Sequence, residues 1–370
     1  MKRHIQITPE VQALLDAGAP VAVGVSGGKD SQAVAWALAE HLKDYRGPKL
    51  LIHADLGGVE WLDSWPACER IAAATGWELI SCTRPAGGMM ERWEARWLSS
   101  IRRYCALETV AVVLPWSTPT MRFCTSELKV GPISSTLKKR FGKVPMLNVT
   151  GVRAEESAAR AKQPVFAVEK NLPPGSLVWR PIHDWLLQDV WDAIAASGVA
   201  AHEAYDTFGS SRVSCRFCIL ANEADLRASL TDPAAVAIYI RMCELELKSA
   251  FAFQGTRWLT SLAPELVPDG AARLRDAQER MLLRRDHEGW LPKHLQFTKG
   301  WPHKVPSLTE AEALAFMRQQ ICTMYGWDTP YRTTQTVRDR YQELWDQKQA
   351  HEEKLKQAAE KKRIRAAKKK

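Results

Sequence analysis

The chain has 370 residues, 46% of them hydrophobic, with 51 Lys and Arg against 42 Asp and Glu for a formal net charge of +9. That is enough apolar material for one large core or two modest ones, and no apolar run reaches the length of a membrane-spanning helix. The last twenty residues, HEEKLKQAAEKKRIRAAKKK, carry nine Lys or Arg against three Glu, so +6 of the net charge sits in this tail. The body is only mildly basic, and the tail reads as a solvated helix end or as an arm for phosphate backbones. The opening MKRHIQITPE leads into no signal-peptide hydrophobic stretch, so a cytoplasmic location without a membrane partner is expected. Eight cysteines in that setting point to metal or redox work at close pairs rather than to a disulfide framework.

In chain order, VAVGVSGGKDSQAVAWAL (21 to 38) comes first. Its apolar, β-branched start predicts a buried parallel strand, and its Ala-rich end predicts a helix opened by the glycine loop. The first amides of a helix lack partners and sit at its positive end, so this turn suits a phosphate. It is not a P-loop, because Gly24 stands too close to Gly28 and Asp30 separates Lys29 from the hydroxyl of Ser31. The dinucleotide fingerprint GxGxxG is absent from it too. LLIHADLGG (51 to 59) predicts a second strand and loop, and VPMLNVTGVRAEES (144 to 157) a third strand, loop and helix start. Alternating strands and helices predict an α/β fold, a doubly wound parallel sheet with its ligands at the carboxyl ends of the strands.

Between these stretches MRFCTSELKVGPI (121 to 133) places Cys124 near Arg122 and Lys129. Later, SSRVSCRFCILANEADL carries Cys215 and Cys218 as a CxxC pair flanked by Arg212 and Arg216, a spacing that grips one metal or cluster. No second CxxC or HxxxH completes a zinc site in sequence, so Cys105, Cys124 or Cys243 closes it only through the fold. From about Ala221 the chain turns helical and charged, ending in a long polar helix from about Thr334. Three parts are expected: an α/β domain with the cysteines over 1–220, a helical region over 221–332, and a polar helix with its Lys-rich tail over 333–370. Trp93, Trp97, Trp185 and Trp191 stand at helical spacing and are read as core. KHLQFTKGWPHK (293 to 304) suits either single-stranded nucleic acid or an exposed loop. His183 and His202 are read as hydrogen-bonding rather than ligating.

Taken in order, SGGKDS (26 to 31), HADLGGVEW (53 to 61), FCTSELKVGP (123 to 132), GVRAEESAAR (151 to 160) and WRPIHDW (179 to 185) resemble the signature blocks of the phosphoadenylylsulfate (PAPS) reductase-like branch of the PP-loop ATP pyrophosphatase superfamily. The resemblance covers about residues 18 to 220 and implies an adenine nucleotide alpha hydrolase-like fold with a helical C-terminal region. It implies that Ser26, Gly27, Gly28, Lys29, Asp30 and Ser31 hold nucleotide phosphates, with Asp55 near the nucleotide and Gly151 and Arg153 in the anion pocket. Lys129, Arg160 and Arg180 are further implied anion contacts, and Lys29, Asp30 and Arg153 the implied catalytic groups. Sulfonucleotide reductases of this branch carry a catalytic Cys in a C-terminal Glu-Cys-Gly segment that this sequence lacks, and their Cys-Cys pair is Phe123-Cys124 here. The resemblance to PP-loop sulfurtransferases implies instead a three-cysteine 4Fe-4S cluster on Cys124, Cys215 and Cys218, with zinc as the alternative. It further implies ATP with Mg²⁺ held by Asp30 or Asp55 through water, a sulfur donor protein, and a nucleic acid as one acceptor. Reduction of a sulfonucleotide and a non-catalytic nucleotide-binding module stand as the alternatives.

Overall fold

β1 (Val21–Gly24) contains no polar side chain, and a computed structural model, which describes residues 4–298 and 300–367, places it inside a six-stranded sheet. The strand order is β3-β2-β1-β4-β6-β5, with β2 Lys49–Asp55, β3 Glu78–Thr83, β4 Leu147–Val149, β5 Phe166–Val168 and β6 Leu177–Trp179. All neighbouring pairs are parallel except β5 with β6. The expected doubly wound parallel sheet is therefore present, with one antiparallel strand at its edge, a common addition.

Successive residues of β1 face opposite ways. Val21 and Val23, with Val25 beyond the strand, join a cluster with Val11 and Leu15 of α1 (Pro9–Asp16), Val34 and Leu38 of α2 (Lys29–His41), and Cys68 and Ile71 of α3 (Ser64–Thr75). Val190 and Ile194 of the Leu187–Ser197 helix complete that layer. Ala22 turns to the other face, where Leu137 of the Gly131–Phe141 helix packs with Leu50, Ile52 and Met146. At about 1.5–3 kcal/mol for each fully buried Val or Leu, these two layers fix where the strand ends lie.

The described chain divides into two compact units, Met1–Arg92 with Ser117–Cys243, and Trp93–Trp116 with Glu244–Lys370. The first holds the whole sheet. The second is helical, and its long helices are Gly270–Gly289, Leu308–Tyr325 and Thr334–Ala367, the last starting where the sequence predicts. Lys368–Lys370 of the expected tail lie outside the described residues. Trp185 is buried and Trp191 packs on the core of the first unit, while Trp93 and Trp97 are buried in the second. In the second unit Trp93 meets Trp116 edge-on at 5.3 Å, and Tyr325 stacks on Trp327 at 4.4 Å. Phe297 packs on Tyr341 and Trp301 stacks on His351, so the rings of the 293–304 stretch are taken up by the chain's own last helix. Among the described residues no helix is long and apolar enough to cross a membrane.

Glu246 is the most deeply satisfied charge of the second unit. Its carboxylate is fully buried and accepts from the amides of Phe253 (2.7 Å), Leu259 (2.8 Å) and Thr260 (2.8 Å) and from the Thr260 hydroxyl (2.8 Å). Glu246→Ala strands four buried donors and is expected to cost about 3 kcal/mol or more of stability, measured by urea denaturation. Glu246→Gln, which keeps two lone-pair positions on one atom, should cost visibly less.

Candidate functional site

The chain leaves β1 and enters α2 through a turn that only glycine fits. Gly27 has φ +76°, and a Cβ there would stand 3.0 Å from Ala67 Cβ, His202 Cδ2 and the Ser64 carbonyl oxygen. Gly28 is the N-cap of α2 and brings no side-chain oxygen, so the positive end of the helix is left for another acceptor. Ser31 closes the turn: its Oγ accepts from the Ser26 amide (3.2 Å) and donates to the Gly28 carbonyl (2.8 Å). The Lys29 amide donates to the Tyr205 hydroxyl at 2.9 Å.

Lys29 is buried, with Nζ 3.3 Å from the Ser211 carbonyl, 3.7 Å from an Asp30 oxygen and 5.2 Å from the centre of the Tyr205 ring. The Asp30 carboxylate accepts from Arg153 Nε at 2.6 Å. Arg153 is 4% exposed and also donates to Glu155 at 2.6 Å and to the Trp185 carbonyl at 3.3 Å. Burial opposes its charge, but the bonds to Asp30 and Glu155 outweigh that and raise its pKa. Gly151 brings the two segments together, because a Cβ there would lie 2.5 Å from the Asp30 carbonyl oxygen. Lys29, Asp30, Gly151 and Arg153, far apart in sequence, thus form one surface at the end of β1 and β4.

The turn rests on side chains that sequence reasoning did not assign to the site. His202, fully buried, accepts from the Ala204 amide through Nδ1 (3.0 Å) and meets Ser64 Oγ through Nε2 (3.3 Å). It bonds hydrogen as its sequence reading holds. Burial lowers its pKa to about 4, against a partial pull upward from Asp63. Asp225 accepts from the amide and hydroxyl of Ser211 at 2.7 and 2.9 Å, fixing the carbonyl on which Lys29 rests. No local pattern marks Tyr205, Ser211 or Asp225, since their partners lie far away along the chain.

Asp55 ends β2 and accepts from the Gly57 amide at 2.7 Å. It opens on a cleft of about 750 Å³ that Glu60, Trp61, Trp65, Arg216 and Arg241 also line. His53, 2% exposed, links this cleft to the loop, with Nδ1 3.0 Å from the Val25 carbonyl and Nε2 3.0 Å from Glu60. Burial lowers its pKa, yet the bonds with Cys68 and Glu60 prevail and hold it at about 10. Of the two acids expected near Mg²⁺, Asp30 is committed to Arg153 and Lys29. Among the described residues Asp55 accepts a hydrogen bond on one carboxylate oxygen alone and fits a water-bridged cation better.

Two of the implied anion contacts already meet groups of the chain. Arg180 donates to the Pro164 carbonyl at 2.9 Å, and burial lowers its pKa. Arg160 pairs with Glu156. Lys129 lies in a π-helical turn, Ser126–Val130, near enough to Cys215 to lower its pKa. Cys124, Cys215 and Cys218 are half-buried thiols outside any disulfide. Burial pushes Cys215 up to about 12, and the thiols of Cys218 and Cys124 push the same way. The fold therefore brings the three thiols into one neighbourhood, which the Glu60 carboxylate also reaches, and thiols suit a soft metal or an iron-sulfur cluster. Among the described residues no three His, Cys, Asp or Glu stand close enough to hold a single ion. The set fits a cluster in chemistry and does not have the spacing of a single-ion centre. Arg216, read in the sequence as a support for thiolates, pairs instead with Asp232 at 2.8 Å and lies 5.8 Å from the Trp61 ring centre.

The profile of the phosphoadenosine phosphosulfate reductase domain matches residues 20–221. An uncharacterized 37.8 kDa protein in the gpa 5′ region of Escherichia phage 186 is 29% identical over 237 residues, which are 55% of this chain and 68% of that protein. Among solved structures, phosphoadenylyl-sulfate reductase from Candida auris in a phosphate complex is similar over 57% of this chain and 89% of its own, at 18% identity and a TM-score of 0.37. The U34-tRNA thiolase NcsA from Methanococcus maripaludis, with its 4Fe-4S cluster, is similar over 74% of this chain and 77% of its own, at 14% identity and a TM-score of 0.37.

His202 makes a pH prediction. Its folded pKa of about 4 lies below the ordinary 6.5, so from 6.5 down to 4 the unfolded chain takes up a proton that the folded chain refuses. Its contribution is complete above that window and falls as pH falls through it. Urea midpoints measured at about pH 7 and about pH 5 should differ less in His202→Asn, which keeps an acceptor for the Ala204 amide, than in the parent. An equal difference would remove His202 as the source.

Proposed function

Since the chain belongs to the phosphoadenosine phosphosulfate reductase domain family, we propose that it is a nucleotide-dependent enzyme of sulfur chemistry, one that activates an acceptor with ATP and replaces an oxygen by sulfur. The observation that carries this reading is the loop itself. A glycine-led helix end with Lys29 and Arg153 fixed beside it is a ready cradle for a polyphosphate.

In the proposed first step an acceptor oxygen attacks the α-phosphorus, the bond to the bridging oxygen breaks, and pyrophosphate leaves with the electron pair. Sulfur at the oxidation level of hydrosulfide then attacks the acceptor carbon, and AMP leaves with the former acceptor oxygen. No net oxidation occurs. The loop amides, Lys29 and Arg153 stabilise charge on the transferring phosphate, and Asp30 keeps the guanidinium aimed. Asp55 would hold a water of the Mg²⁺ that accompanies ATP. Cys124, Cys215 and Cys218 would hold an iron-sulfur cluster, which supplies a Lewis-acid site for incoming sulfur. Lys129 beside them offsets negative charge. The sulfur itself comes from a donor protein.

Two experiments test this. Lys29→Met is expected to lower ATP-dependent pyrophosphate release by about 10²–10³-fold. Sulfite release from adenylyl sulfate and a thiol, with no pyrophosphate from ATP, would overturn the reading in favour of sulfonucleotide reduction. Separately, protein purified without oxygen should carry about four irons and four sulfides per chain, lost in Cys215→Ala. Zinc alone would make the cysteine pair structural.

A further inference from the structure

A second cleft, of about 900 Å³, has Arg122, Thr125 and Ser126 in its wall, which neighbour Cys124 in sequence. Its lining is one-sided in chemistry. Three cations, Arg122, Lys138 and Lys139, and five hydroxyl side chains face it, no carboxylate does, and the only apolar side chains are Pro119 and Val130. None of the three cations is held by a carboxylate among the described residues. Nearby cations are treated differently: Arg140 pairs with Glu78 and Arg92 with Glu127. From Pro119 to Lys139 the sequence has a single carboxylate, Glu127, and Arg92 holds it away through two bonds of 2.6 and 2.9 Å. The segment thus keeps its cations unneutralised along one cleft.

We propose that this cleft seats a single nucleic-acid strand by its phosphates. This rests on the sulfur-transfer reading and names the class of its acceptor. Cations interleaved with hydroxyl donors match phosphate oxygens, which accept from both. An acidic peptide would also need apolar surface for its other side chains, and two residues do not supply it. A duplex presents its phosphates on a convex surface, whereas one strand enters a cleft. With no aromatic ring in the lining there is no stacking platform, so recognition is of the backbone, tolerant of sequence and strongly salt-dependent.

The test uses the full chain and a fluorescent single-stranded DNA of about 20 nucleotides and mixed sequence, with binding followed by anisotropy over a range of salt. The triple variant Arg122→Ala, Lys138→Ala, Lys139→Ala should bind at least about tenfold more weakly near 0.1 M salt. Its log–log salt slope should be shallower by about 2, the value for three single-strand phosphate contacts. ATP binding by calorimetry should be unchanged in the same variant. Equal affinity and slope in parent and variant would overturn the proposal and assign strand binding to the basic tail. Equal affinity for polyglutamate, or for the duplex of the same sequence, would overturn it in favour of an acidic polypeptide or of double-stranded nucleic acid. Failure of the parent to bind ATP would sink the function proposed above, while the oligonucleotide arms would still decide the cleft.

Discussion

A methyl group on Gly151 would stand 2.5 Å from the Asp30 carbonyl oxygen, and most of the site's geometry follows from that approach. It sets the loop after β4 directly on the first turn of α2, so the two strand ends act as one support. Arg153, two residues further on, then arrives at the Asp30 carboxylate and is covered. A side chain at position 151 would part the segments, and the guanidinium would lose both its partner and its shelter. Gly27 makes the matching contact on the other side of the loop, against α3 and His202. The shape of the loop depends on two places where backbone must approach without a Cβ between.

Charge in this surface is balanced before any ligand arrives. Lys29 and Arg153 are matched by Asp30 and Glu155, and each cation is also held by a backbone carbonyl, Ser211 or Trp185. Burying an unmatched guanidinium would be costly, and one carboxylate alone would leave part of its fork unsatisfied. The arrangement sacrifices some field at the loop for fixed geometry. That trade suits transition-state stabilisation, which gains most from groups that need not reorganise.

The legible part of this molecule was the part written locally. β1, the glycine turn and α2 lie within one apolar run and one helical pattern, and the long last helix begins at Thr334 because its polar pattern begins there. β3 was not read, because only Cys82 of its six residues is buried and the apolar signal is weak. β5 and β6, three residues each, are too short to show a period. In the site, Lys29, Asp30 and Arg153 were named from motifs and do meet. Arg160 and Arg180 follow from the same motifs and lie against Glu156 and the Pro164 carbonyl. Tyr205, Ser211 and Asp225 had no local signature, since each acts through a partner that only the fold brings near.

The cysteines show how a support read from the sequence is spent elsewhere in the fold. The CxxC pair is flanked by two arginines, but Arg216 turns to Asp232 and packs near Trp61, while Ser229 Oγ donates to the Arg216 carbonyl at 2.6 Å. Those contacts fix the backbone of the CxxC segment and leave the thiols unaided by that guanidinium. Lys129, from the Cys124 segment, lowers the pKa of Cys215, yet burial and the neighbouring thiols outweigh it. A thiol so placed stays protonated at neutral pH and becomes a ligand when a metal replaces its proton. A metal held there, as proposed, would displace such protons and join two segments about ninety residues apart.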